Sequence, residues 1–255
     1  MRIHRYCVLL LGLIVCAGAR AQQLADVCHA TSSFDLTVAP DGLRFDRPSP
    51  APTLVTIHDG ALWVDGRAVA LNDEDQDRLT LFEQGVRALV PRVKAVADHG
   101  VDVAVQAVRD EAAELHLDAA TQAQLAQRLA VDAASLKQRI AASDSTHDWH
   151  GDAAEQYAQQ MATDIVPLIA ADLGQQALTD AMSGDLQDAA ALRDRAANLA
   201  QDWPVILRQR LQVLRPQIEA LCPAIRRLAA LQQGVRDGQG QSLDLLDVAG
   251  MPAGG

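Results

Sequence analysis

The chain has 255 residues, 49% hydrophobic and 22% charged, with 33 acidic against 22 basic side chains and a formal charge of −11. That length allows one or two buried cores, and the acidic balance disfavours nucleic acid or anionic lipid as a partner, since a negative surface repels both. Only 3% of residues are aromatic, so the side chains that usually anchor a tight interface or stack on a ligand are scarce.

Residues 1–21 read as a secretory signal peptide. Met1-Arg2-Ile3-His4-Arg5 is basic, residues 6–15 are apolar but too short to span a bilayer, and Ala19-Arg20-Ala21 is a small-x-small cleavage site, which predicts cleavage after Ala21. Cys16 is not expected to be acylated, because the bulky Val15 precedes it where a lipoprotein signal needs a small residue. Later apolar stretches are interrupted by Asp, Arg or Gln well short of the roughly 20 residues of a transmembrane helix. An exported, soluble, periplasmic protein is the expectation. Cleavage would remove Arg2, Arg5 and Arg20 and leave 234 residues with 19 basic against 33 acidic groups, a charge of −14. Such a surface suits a cationic partner, but solubility is the simpler explanation.

Cys7 and Cys16 leave with the signal, so the mature chain keeps Cys28 and Cys222. Two thiols in an oxidising compartment predict one disulfide. Closing so long a loop stabilises by about 4 to 5 kcal/mol in the chain-entropy model. A redox role is disfavoured, because the close Cys-x-x-Cys spacing is missing.

From 22 to 71 the pattern is that of strands. Phe34, Leu36 and Val38 alternate with polar residues, as do Leu62 with Val64 and Val69 with Leu71, so each strand buries one face. Asp41-Gly42, Asp59-Gly60 and Asp65-Gly66 supply the positive φ that tight hairpin turns require. A meander of four or five strands follows, with the proline-rich 48–52 as a loop between the second and third, since Pro cannot donate to a ladder.

At Asn72 the period becomes helical, with Asn72 or Asp73 as N-cap and Glu74, Asp75 and Asp77 in the first turns. Leu79, Phe82, Val86, Leu89, Val93 and Val96 form one apolar seam. Pro91 predicts a kink or break. The seam restarts out of step after His99-Gly100, with Val101, Val105, Val108, Ala112 and Leu115, which predicts a turn or local unwinding. Asp118 can cap a helix carrying Leu125, Leu129, Leu136 and Ile140, and a loop over 143–150 precedes another helix with Tyr157, Met161, Ile165 and Leu168 on one face. After a break at Ser183-Gly184-Asp185, a last long helix is predicted to start at Asp202-Trp203-Pro204, with Leu207, Leu211, Leu214, Ile218, Leu221, Ile225 and Leu228 in its seam, bent at Pro216 and Pro223. The Gly-rich, polar stretch 234–255 is predicted to be a largely disordered tail.

His147, Asp148, His150 and Asp152 form the densest local set of possible metal ligands. A zinc protease would place His-Glu-x-x-His on a helix. Here the residues fall in a loop without the Glu, so a solvated loop ending in a helix cap is the preferred reading. His58, His99 and His116 have no partner assignable from sequence. The sequence has no Gly-x-Ser-x-Gly elbow, phosphate loop or dinucleotide fingerprint. The many helical carboxylates read as solvent faces rather than acid–base pairs.

An early cysteine, Asp59-Gly60-Ala61-Leu62-Trp63-Val64-Asp65-Gly66, then Leu71 and a helix start leading to Leu89-Val90-Pro91, and a late Leu221-Cys222, stand in one order. That arrangement resembles the YggN-like family of secreted proteobacterial proteins, a domain of unknown function. The resemblance implies a periplasmic location and brings no catalytic residues.

The reading is therefore an α+β protein: signal peptide 1–21, an antiparallel β-meander over 22–71, long packed helices over 72–233 as hairpins or a bundle, and a tail over 234–255. No cofactor and no catalytic residue are expected. The leading expectation is a non-enzymatic envelope protein that binds another protein or itself through its apolar seams. The alternatives are a metal-binding protein or metal-dependent hydrolase using the 147–152 loop, and a carrier of an apolar ligand.

Overall fold

The structure is a computed structural model that describes residues 27–149 and 152–249; the predicted signal peptide and the last six residues of the expected tail lie outside them. The architecture is α+β, an N-terminal antiparallel meander followed by packed helices. No helix among the described residues is long and apolar enough to cross a membrane.

After a short strand β1 (Ala30–Thr31), five strands β2 (Asp35–Ala39), β3 (Gly42–Asp46), β4 (Leu54–His58), β5 (Ala61–Val64) and β6 (Arg67–Val69) pair in sequence order as one antiparallel sheet. The period-two pattern fixes the register. Leu36, Phe45, Val55 and Val64 form one rung, and Val38, Leu43, Ile57, Leu62 and Val69 the next. All these residues pack on one core, so a one-residue slip would turn each of them to the other face.

The Asp59-Gly60 and Asp65-Gly66 turns have positive φ at both residues, as a two-residue type I′ turn needs. The first hairpin differs from the expectation. Ala39 pairs with Gly42, so its loop is Pro40-Asp41 and Gly42 begins the strand, where an added Cβ would lie 2.5 Å from the Ile57 carbonyl oxygen.

The helices are α1 (Asp73–Glu114), α2 (Ala119–Ala142), α3 (Asp152–Ser183), α4 (Leu186–Leu211), α5 (Arg215–Glu219) and α6 (Cys222–Gln232), with a 3-10 turn at Thr146–Trp149 and another at Gln212–Leu214. A last strand, β7 (Asp247–Val248), pairs with β1. Asn72 caps α1 by accepting the Asp75 N–H at 2.8 Å, and Asp118 caps α2 by accepting the Thr121 N–H at 2.8 Å.

The chain forms two compact units, one bounded as Met1–Val96, Ala142–Ala153 and Arg215–Gly255, the other as Ala97–Ala141 and Ala154–Leu214. This departs from a division between strands and helices. The helix α1 is unbroken through Pro91 and through His99-Gly100, so the change of seam predicted there is not a turn. It marks where the helix passes from one hydrophobic core to another: Leu79, Phe82 and Val86 are buried with the sheet, whereas Val108, Ala112 and Leu115 are buried among other helices.

In the first unit the sheet's inner face (Leu43, Phe45, Val55, Ile57, Leu62) packs with Leu79, Phe82 and Val86 of α1 and Leu228 of α6. Val235, Leu243 and Leu245 complete that core with at most 4% exposure. The segment from 234 to 249 is therefore not a disordered tail. Its apolar residues are too few to show a period, yet they fill the space between sheet and helix. A smaller core gathers Cys28, Leu221, Cys222, Ile225, Ala229 and Val248, and the predicted Cys28–Cys222 disulfide closes it across 194 positions.

In the second unit α1 residues from Val105 onward, α2, α3 and α4 share a core of Leu125, Leu129, Ile165, Ile169, Leu173 and Leu199. Leu168 packs on it as expected, while the side chains of Tyr157 and Met161 lie outside the described set. The predicted long helix starting at Asp202-Trp203-Pro204 is a correction. The helix α4 already begins at Leu186 and runs through those residues, ending at Leu211. Pro216 and Pro223 each occupy the second position of a new short helix, where no intrahelical donor is lost. The three-four spacing runs on across these junctions although Leu207 packs in the second unit's core, Leu221 and Ile225 in the small core, and Leu228 against the sheet.

Candidate functional site

The bend between α2 and α3 closes over β2, an edge strand of the sheet. The Val38 N–H donates to the Asp144 carbonyl at 2.8 Å, the Leu36 N–H to Thr146 Oγ1 at 2.9 Å, and the Thr37 hydroxyl meets Ser145 Oγ at 3.0 Å. These bonds satisfy edge groups that would otherwise invite another strand. They also carry His147 onto the sheet. Its Nε2 lies 2.9 Å from Asp46 Oδ2 and its Nδ1 3.4 Å from Asp35 Oδ2. The hydrogen bond to Asp46 holds the imidazole pKa above its usual value, aided by the charges of Asp35, Asp46 and Asp148 against partial desolvation.

Of the four candidate ligands over 147–152, the structure describes the side chains of His147 and Asp148. Asp148 is exposed on the 3-10 turn, His150 lies outside the described residues, and Asp152 opens α3 with its side chain also outside them. The residues brought to His147 are Asp35 and Asp46, about a hundred positions away. No local spacing could have found them, but their place opposite each other in the first hairpin, two like charges on one rung, was a usable signal.

A second group sits at the β4–β5 turn. Glu83 of α1, 6% exposed, accepts from Arg87 Nη2 at 2.7 Å and from the Asp59 N–H at 2.9 Å, and His58 Nδ1 stands 4.0 Å from it. Arg87 also donates to the Ala39 carbonyl at 2.8 Å. Here the buried carboxylate already has a guanidinium partner, so the group ties helix to sheet.

In the second unit the buried Asp172 accepts the Asp118 N–H at 3.1 Å and the Gln176 amide at 2.9 Å, and Thr121 Oγ1 lies 3.0 Å from Asp118 Oδ2. Asp118 is lowered to about 2 by the hydrogen bond from Asp172 and by those from Thr121, while burial, then the shared bond, raises Asp172. Each supports the start of α2, a capping role. Near the α3–α4 connection, Leu178, Met182 and Leu186 are 55%, 82% and 69% exposed. Leu178 and Met182 share a helix face.

No curated protein and no solved structure matches the chain. A family model described as "Protein of unknown function (DUF2884)" matches residues 28–246, a span that starts at one bridged cysteine and takes in the other, the whole meander and the packed segment after α6. The chain belongs to the DUF2884 family of proteins of unknown function.

Proposed function

We propose that the protein is an exported component of the bacterial envelope, residing in the periplasm, that works by binding another protein or a second copy of itself rather than by catalysis. The observation that carries the reading is the Cys28–Cys222 disulfide. A structural bridge of this kind forms and persists in an oxidising compartment, and the basic, apolar leader of residues 1–21 supplies the route there. The YggN-like resemblance points to the same compartment.

The binding role is supported by Leu178, Met182 and Leu186, large apolar side chains left in water near one helix connection. An exposed apolar cluster beside polar surface is the usual mark of a contact site. The test is crosslinking in the periplasm of the native host, followed by mass spectrometry of what the mature protein retains. A reproducible partner, or a homodimer, that disappears with Met182→Asp is expected. A protein that is monomeric, captures nothing, or carries reduced cysteines when trapped by alkylation in the cell overturns the reading.

A further inference from the structure

We propose that Asp35, Asp46 and His147 form a binding site for a divalent cation of borderline hardness, with zinc as the best fit. The proposal is independent of the interaction reading above.

Asp35 and Asp46 are direct partners in the β2–β3 ladder. Like charges facing each other on adjacent strands repel and weaken the pair. The other rungs of this hairpin avoid that cost, pairing Leu36 with Phe45, Thr37 with Arg44 and Val38 with Leu43. A protonated His147 imidazole, which lies against both carboxylates, offsets that cost in part, and a divalent cation held by the same three side chains would offset it more fully. The hairpin and the 3-10 turn place a third donor there, so that one ligand atom from each of the three residues lies within 4.8 Å of the others. Donors bound to one zinc ion at about 2.0–2.2 Å stand roughly 3 to 4 Å apart. Binding would draw the three donors together by up to about 1 Å, with the His147 side chain, 54% exposed, the least confined of them.

The surroundings are already set for such a role. Thr146 Oγ1 donates to Asp35 Oδ1 at 2.9 Å, which leaves Oδ2 directed to the imidazole. Thr146 is itself held by the Leu36 N–H, and the His147 N–H donates to Ser145 Oγ at 3.2 Å. Outer hydrogen bonds of this kind fix ligand orientation in metal sites. Two carboxylates and a neutral imidazole balance a dication, and the mixed O and N donor set suits zinc or manganese better than a soft, thiolate-seeking ion. Asp35 is 12% exposed and Asp46 39% exposed at the side chain, so the ion would sit at the surface and keep a coordination position for water. The group at Glu83 differs in the nature of its partner: Arg87 is permanently charged, whereas the imidazole facing Asp35 and Asp46 can give up its proton to become a ligand.

The test uses the mature protein purified without a histidine tag. Zinc is titrated by calorimetry and cobalt by its visible absorption, with wild type, His147→Ala, Asp46→Asn and the control His58→Ala compared. One equivalent bound by wild type and by His58→Ala is expected. His147→Ala and Asp46→Asn are each expected to weaken binding at least tenfold, with melting curves verifying that both fold. In the unmutated protein, cobalt should shift the NMR resonances of residues 35, 46 and 147 before others. Binding that survives either substitution, shifts centred elsewhere, or no stoichiometric binding by wild type overturns the proposal. In that last case the protonated imidazole alone bridges the two carboxylates.

Discussion

The side-chain carbonyl of Gln232 accepts the backbone N–H of Leu245 at 3.1 Å, and that of Leu246 at the same distance. Its amide nitrogen returns a hydrogen bond to the Leu246 carbonyl. A buried carboxamide thus takes the place of a neighbouring strand for a segment that has no ladder of its own at that point. Gln232→Leu would strand two N–H groups, so a loss of about 2 to 4 kcal/mol is expected, at 1 to 3 kcal/mol for each buried donor left unsatisfied. Leu245→Ala should cost about 2 to 5 kcal/mol by opening a cavity beside the sheet. Thermal melts of both variants check this, and wild-type stability in either would return the segment to the status of a loose tail.

Gly60 should not tolerate a side chain. Its φ is +79°, and an added Cβ would lie 2.6 Å from the Gln76 carbonyl oxygen. The turn therefore rests against the backbone of α1, which cannot retreat. Gly60→Ala is expected to lower stability by more than about 1 kcal/mol. The contrasting Gly66→Ala, with the same sign of φ but nothing within 4 Å, should cost less. Equal losses in the two would show that backbone strain alone matters.

The Asp118–Asp172 pair gives a pH signature. The folded pKa of Asp172 is raised by burial, so its ionisation opposes folding once pH exceeds the unfolded aspartate value of about 3.9. Asp172→Asn should therefore gain on wild type as pH rises from there, with no gain below it. Asp118 has the opposite sign. Lowered to about 2, it supports folding above its unfolded pKa and loses that support as pH falls through about 2, so Asp118→Ala should destabilise most at neutral pH. Melting temperatures of the three proteins between pH 3 and pH 8 would show the crossing, and parallel curves would refute it.

Removing the bridge through Cys222→Ser should lower stability by about 2 to 5 kcal/mol. The β1–β7 pair should loosen first, because Cys28 lies two residues before Ala30, whose partner is Val248. Amide exchange at Ala30 and Val248 reads this directly. Unchanged protection there would mean that the small core around Ile225 holds the pair without covalent help.

Local periodicity made much of this fold legible in advance. Leu36, Leu62 and Val69 announce their face because each strand alternates, and Leu79 to Leu115 announce theirs at three-four spacing although the helix changes core partway. The disulfide followed from counting. What escaped is held by contacts without a period: Leu245 bound by a side chain of α6, the α4 start at Leu186 set by Asp185 accepting the Asp188 N–H at 3.3 Å, and His147 carried to two aspartates by a turn. Closeness in sequence, as between His147 and Asp148, does not point to Asp35 and Asp46. The actual neighbours come together only after the hairpin has formed.

The late segment that packs on the sheet also dictates an order of events. The first unit needs Val235, Leu243 and Leu245 to cover a sheet whose last strand ends at Val69. At about 5 to 20 residues per second of synthesis, the missing pieces follow that strand by roughly ten to thirty seconds. The second unit, assembled from the stretch between, has all its helices in hand first. During that interval the apolar side of the meander is covered only by Leu79, Phe82 and Val86 of α1, a partial cover that favours a chaperone or holding the chain unfolded until it is complete.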